Sequence, residues 1–147
     1  MRTAYRVLAL LIPVLVALQA GLIAFGQFGL EAWVSDNNSY TQQAQKGGDA
    51  TGAVGITLHG IIGTSVIPLV ALLLLVVAFF AHVPGGRKWA AFVLLAVVVQ
   101  ILLAVLADEI PAVGLLHGLN AFLVFGLAMM AAQRARTAPE YTESRLG

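Results

Sequence analysis

Two histidines carry the clearest chemical signal in this sequence. His59 stands in Gly55-Ile56-Thr57-Leu58-His59-Gly60-Ile61-Ile62-Gly63, and His117 in Gly114-Leu115-Leu116-His117-Gly118-Leu119-Asn120-Ala121, each at the entrance to a long apolar run. An ionisable side chain in a membrane helix is costly and marks function by default, and two at matching depth point to one shared ligand. Imidazole is a suitable axial ligand for haem iron, whereas zinc or copper asks for further protein ligands. No third histidine lies at this depth: His82 falls at the far end of its apolar run. The expected cofactor is therefore a b-type haem with His59 and His117 as its metal ligands. Two axial histidines fill the iron's coordination and favour electron transfer over oxygen binding.

The neighbours on each helical face agree with a flat ligand. Residues three or four positions from a histidine stack above and below it, and here they are Gly55 and Gly63 around His59, and Gly114 and Ala121 around His117. Such small residues leave clearance for a macrocycle, although close helix packing of the small-xxx-small kind would also select them. Gln19, Gln100 and Asn120 fall near the same depth; they are expected to hydrogen-bond the ligand or the imidazoles, or else to bond one helix to another. Lys46, Gln42, Gln43 and Gln45 are the candidate partners for haem propionates.

These side chains need membrane helices to position them. Of 147 residues, 60% are hydrophobic and 10% charged, against roughly 25% charged in a soluble domain. This composition describes an integral membrane protein of one domain. A net charge of +1 without a basic run gives no case for nucleic acid. The absence of cysteine excludes disulfides, thiolate metal sites and c-type haem attachment. No Ser/His/Asp set, paired intramembrane carboxylates or glycine-rich phosphate loop is present.

Residues 7–30 carry no charge and are long enough to cross a hydrocarbon core that needs about 20 residues. The run is too long for a signal peptide and lacks a clear A-x-A cleavage site, so it reads as the first transmembrane helix, with Pro13 expected to bend it. Residues 31–53 form the one long polar loop, residues 54–81 the second helix, 82–88 a tight basic turn and 89–107 the third helix. Asp108-Glu109 is the expected link to a fourth helix over 110–132, with Pro111 in its first turn. The transmembrane domain thus covers residues 1–132, and 133–147 reads as a disordered polar tail. Arg2, Arg6, Arg87, Lys88, Arg134, Arg136 and Arg145 fall on one side and only Lys46 on the other. The positive-inside rule then predicts a multi-pass protein of a bacterial inner membrane with both termini cytoplasmic.

The first two helices look like the last two: Ala53-Val54-Gly55-Ile56-Thr57-Leu58-His59-Gly60 aligns with Ala112-Val113-Gly114-Leu115-Leu116-His117-Gly118 with one residue dropped, and Gln19 corresponds to Gln100. The expected fold is an all-α, up-down-up-down four-helix bundle built from two repeated hairpins. His59 and His117 would then lie about 8 and 10 Å below the outer helix ends and face each other across a diagonal of roughly 13 Å.

These residues resemble one half of haem A synthase, a membrane enzyme made of two four-helix halves. In that family each half carries histidines on its second and fourth helices near the outer side, and His59 and His117 match those positions. The resemblance implies the same bundle and histidine-ligated haem over most of the chain. The family's catalytic half also places an acidic residue one turn before a histidine, where this chain has Ile56 and Gly114, so the synthase reaction is not expected of it unless a homodimer supplies a second half and another group replaces the carboxylate. The Leu116-His117-Gly118-Leu119-Asn120-Ala121 segment is also similar to small uncharacterised four-helix bacterial membrane proteins. A membrane haem protein for electron transfer or haem handling, not expected to be an enzyme on this reading, would partner a respiratory or other membrane redox complex. A cofactor-free assembly subunit of a larger complex and a small-molecule transporter are the other readings of the same pattern.

Overall fold

The computed structural model describes residues 1–39, 41, 43–44 and 48–137. Among them the chain is all-helical, with no strand. Four helices are long and apolar enough to cross a membrane: α1 (Arg2–Ser35), α2 (Ala53–Ala78), α3 (Gly86–Glu109) and α4 (Val113–Thr137).

The helices outrun the apolar runs that announce them. At 1.5 Å per residue α1 is about 51 Å long against a hydrocarbon core of about 30 Å, because Arg2, Arg6 and Glu31 flank the run without breaking the helix. Pro13 lies inside α1, buried, and the helix continues through it. Asp108 and Glu109 close α3 instead of forming the link, and Pro111 lies in the 110–112 connection, outside the first turn of α4. The expected polar tail is shortened too: residues 133–137 are helical, since no glycine or proline separates Ala132 from Thr137 and glutamine and arginine are good helix formers. Residues 138–147 lie outside the described residues.

α1 packs against α2 and α4, and α3 packs against the same two. The buried residues follow a helical stripe on each: Tyr5, Ala9 and Ile12; Ile67, Ala71, Leu74 and Ala78; Ala90, Val93 and Val97; Val124, Ala128 and Ala131. Spacings of three and four turn one face of every helix to a common core, and the alanines let the backbones approach closely. This core occupies one end of the bundle only, the end that carries the basic residues. There Tyr5 donates its hydroxyl to Gly86 O at 3.0 Å, pinning the start of α1 to the start of α3. Arg87, Lys88 and Arg134 lie over the rings of Phe79, Phe92 and Trp89, holding their charges at that rim by cation–π attraction.

The other end is joined differently. Beyond Val97 in α3 and before Val124 in α4 no residue is buried, nor is any between Gly55 and Ile67 in α2. What holds α1 to α2 here is a glycine crossing. A Cβ on Gly29 would stand 2.6 Å from Gly52 Cα, and one on Gly55 2.6 Å from Leu22 O. Gly52, at φ 83°, takes the left-handed backbone that lets α2 begin against α1.

Candidate functional site

His59 and His117 come together in the loosely filled end of the bundle. Their ring centres are 6.3 Å apart and the ring planes are inclined at 59°. They meet although the backbones of α2 and α4 make no extended contact, so the two side chains reach across the space between α1 and α3.

A break in α2 aims His59 inward. Ile62–Val66 is a π turn, in which Ile67 N–H bonds back to Ile62 O. Pro68 explains it: a proline has no N–H for the preceding turn, and its ring would strike the carbonyl of Thr64 in a regular α-helix. Widening the turn removes that clash and takes up one residue without the usual rotation of about 100°. The consequence falls on His59, which stands eight residues before Ile67 of the buried stripe, whereas His117 stands seven before Val124. Seven residues bring a side chain back to within about 20° of the same face, and eight would leave it about 80° away. The π turn absorbs the difference, so both histidines line up with the core face of their helices.

Each imidazole is then fixed by the same kind of bond. His59 Nδ1–H donates to the backbone carbonyl of Gln19 at 3.1 Å, and His117 Nδ1–H to that of Gln100 at 3.1 Å. A carbonyl only accepts, so Nδ1 holds the proton in both rings and a neutral imidazole keeps its lone pair on Nε2. This is the tautomer of a metal-binding histidine whose other nitrogen is held by the protein.

Beyond this point the two stations differ. Gln100 donates through Nε2 to His117 Nε2 at 3.1 Å. Asn120 donates through Nδ2 to Gln100 Oε1 at 2.7 Å and to Ala96 O at 2.9 Å, so it bonds both a neighbouring helix and the site. On the other side Gln19 is 7% exposed, and neither atom of its carboxamide has a partner. A polar group buried in this way costs roughly 1–3 kcal/mol. His59 Nε2 makes no hydrogen bond among the described residues.

The small residues serve separate ends. Gly55 faces α1 in the glycine crossing, while Gly63 opens onto the Gln19 carboxamide, with Oε1 3.5 Å from where its Cβ would be. Gly114 faces Ala107 at van der Waals distance, and Ala121 is half-buried. Of the expected propionate partners Gln43 is exposed; Gln42, Gln45 and Lys46 lie outside the described residues. No group of three His, Cys, Asp or Glu that could hold a metal ion occurs among the described residues. Among the described residues the arrangement therefore offers a metal two imidazoles.

Side-chain reasoning missed the backbone carbonyls of Gln19 and Gln100, which anchor the rings. It also missed the π turn, for which Pro68 inside the second apolar run was the available signal. No protein-family model, curated protein or solved structure matches the chain.

Proposed function

We propose that this chain is a b-type haem protein of the bacterial inner membrane, serving electron transfer or haem handling, with His59 and His117 as axial ligands. The observation that carries the reading is the pair of imidazoles 6.3 Å apart, each with Nδ1–H tied to a carbonyl. Two imidazoles on opposite sides of one metal ion would have centres about 6 Å apart, given a metal–nitrogen bond of about 2.0 Å and about 1.1 Å from nitrogen to ring centre. The burial pattern supports it too: the close-packed apolar stripes that fill the other end of the bundle stop short of the histidines.

Haem bound there would supply a one-electron couple. The chain's own part is to hold both Nε2 lone pairs in place, to surround them with apolar helix and to offer carboxamides at the rim. The matching bonds of His59 to Gln19 and His117 to Gln100 support an up-down-up-down bundle of two repeated hairpins. The clustering of Arg2, Arg6, Arg87, Lys88, Arg134 and Arg136 at one end supports cytoplasmic termini. That orientation is open to a direct test, because the chain has no cysteine of its own and single cysteines introduced at Ser39 and at Gly85 should be labelled from opposite sides.

The test of the function is the visible spectrum of the detergent-purified protein before and after dithionite. A Soret band that shifts on reduction, with resolved α and β bands, is the expected result. A colourless protein that also takes up no added haemin would overturn the reading and leave a cofactor-free assembly subunit as the better account.

A further inference from the structure

The two histidine stations are not equivalent, and their difference implies an order of ligation. We propose that Gln100 is a lock on His117: His59 is the receiving ligand, and His117 joins only once the Gln100 carboxamide has swung off its Nε2. The proposal rests on the haem reading above and adds to it a positioning role for Gln100 and Asn120.

The lock is built from three bonds in series. Asn120 is anchored on Ala96 O and holds Gln100 Oε1, which fixes the orientation of the carboxamide and leaves its NH2 group facing His117. That group donates to Nε2, the nitrogen a metal would need. Ligation by His117 therefore requires the bond to break. Nothing comparable guards His59. The residue three positions after it, where α4 has Asn120, is Ile62, which cannot hold a carboxamide. Gln19 accordingly keeps its amide atoms unpartnered and buried, and His59 Nε2 is free of any bond among the described residues. The side that lacks partners is the side prepared for an incoming ligand, and the orphan carboxamide of Gln19 is the polar group that ligand would satisfy.

Two measurements on the full-length protein in detergent separate the lock from the haem reading. The first needs no haem: diethyl pyrocarbonate acylates the imidazole nitrogen that bears the lone pair, and mass spectrometry gives a rate for each histidine. His59 should react about tenfold faster than His117, the effect of one hydrogen bond on the latter. Gln100→Ala, and independently Asn120→Ala, should raise the His117 rate toward that of His59. An unchanged His59 rate in either variant certifies that the bundle is intact. Equal rates in the unaltered protein, or a His117 rate indifferent to both substitutions, would overturn the lock.

The second is haemin mixing followed by absorbance. A one-histidine spectrum should precede the two-histidine spectrum, Gln100→Ala should shorten the interval, and His117→Ala should stop at the first. If haemin is refused while the acylation rates behave as expected, the masking of His117 by Gln100 stands, but the haem reading and the order of ligation built on it fall. If haemin binds but Gln100→Ala alters neither the rates nor the interval, the haem reading survives and the lock does not.

Discussion

The basic end and the histidine end of this bundle are built on opposite principles. At the basic end four stripes of alanine, valine, leucine and isoleucine close on one another, and Tyr5 ties α1 to α3 by a buried hydrogen bond. At the histidine end the buried apolar stripes give way to polar side chains, half-buried in His59, Gln100, His117 and Asn120, and a crossing of Gly26, Gly29, Gly52 and Gly55 takes over the α1–α2 contact. In lipid, apolar packing and van der Waals contact must hold helices together without a hydrophobic drive between them. One end is therefore organised to hold the fold, and the other is the end where the proposed haem would sit.

That contrast can be broken most forcefully at the histidines. Replacing both His59 and His117 by alanine should weaken haemin binding by more than about a hundredfold, read by Soret titration, while the haem-free protein loses no more than the imidazole hydrogen bonds contribute, about 1 kcal/mol each. A large loss of stability in the haem-free double variant would mean the histidine end also carries the fold. Leu74→Ala tests the other end: a cavity in the closed core should cost about 2–4 kcal/mol in an unfolding titration, with haemin affinity nearly unchanged. Smaller, and opposite in sign, is Gln19→Met. It removes a buried carboxamide that has no partner but keeps the backbone carbonyl on which His59 rests, so the haem-free protein should gain about 1–2 kcal/mol. The smallest effect expected is that of Tyr5→Phe, about 1 kcal/mol of stability for one hydrogen bond, with no change in either histidine's reactivity.

Much of this division was legible in the sequence. Four apolar runs gave four helices because membrane-spanning segments must satisfy their backbone internally, and counting residues along them set His59 and His117 level with each other, as their 6.3 Å approach requires. The ends were less legible. Residues 2–6, 31–35 and 133–137 are polar but contain no helix breaker, so polarity marked where the apolar run stopped and not where the helix did. Counting set Gln19 and Gln100 beside the histidines, yet the atoms that anchor the rings are backbone carbonyls, which leave no trace in residue type. Gly55 illustrates the opposite difficulty. Its small size suits clearance for a ligand and contact with a helix equally, and only the position of α1 shows that it meets Leu22 O and Gly26 N.

The π turn in α2 also bears on how the chain tolerates changes in length. In an ordinary membrane helix the loss of one residue turns everything on one side of the deletion by about 100° relative to the other, which would swing a side chain such as His59 away from the bundle core. Within Ile62–Val66 the helix already carries a surplus residue. Deleting one of these five together with Pro68→Ala, which restores the missing N–H and removes the ring clash, should give an unbroken α-helix with His59 still facing His117. The same deletion two turns further along, among Ile67–Ala78, should part the histidines from each other. Between His59 and the buried stripe of α2, this short segment is thus where the chain can lose a residue and keep His59 facing His117.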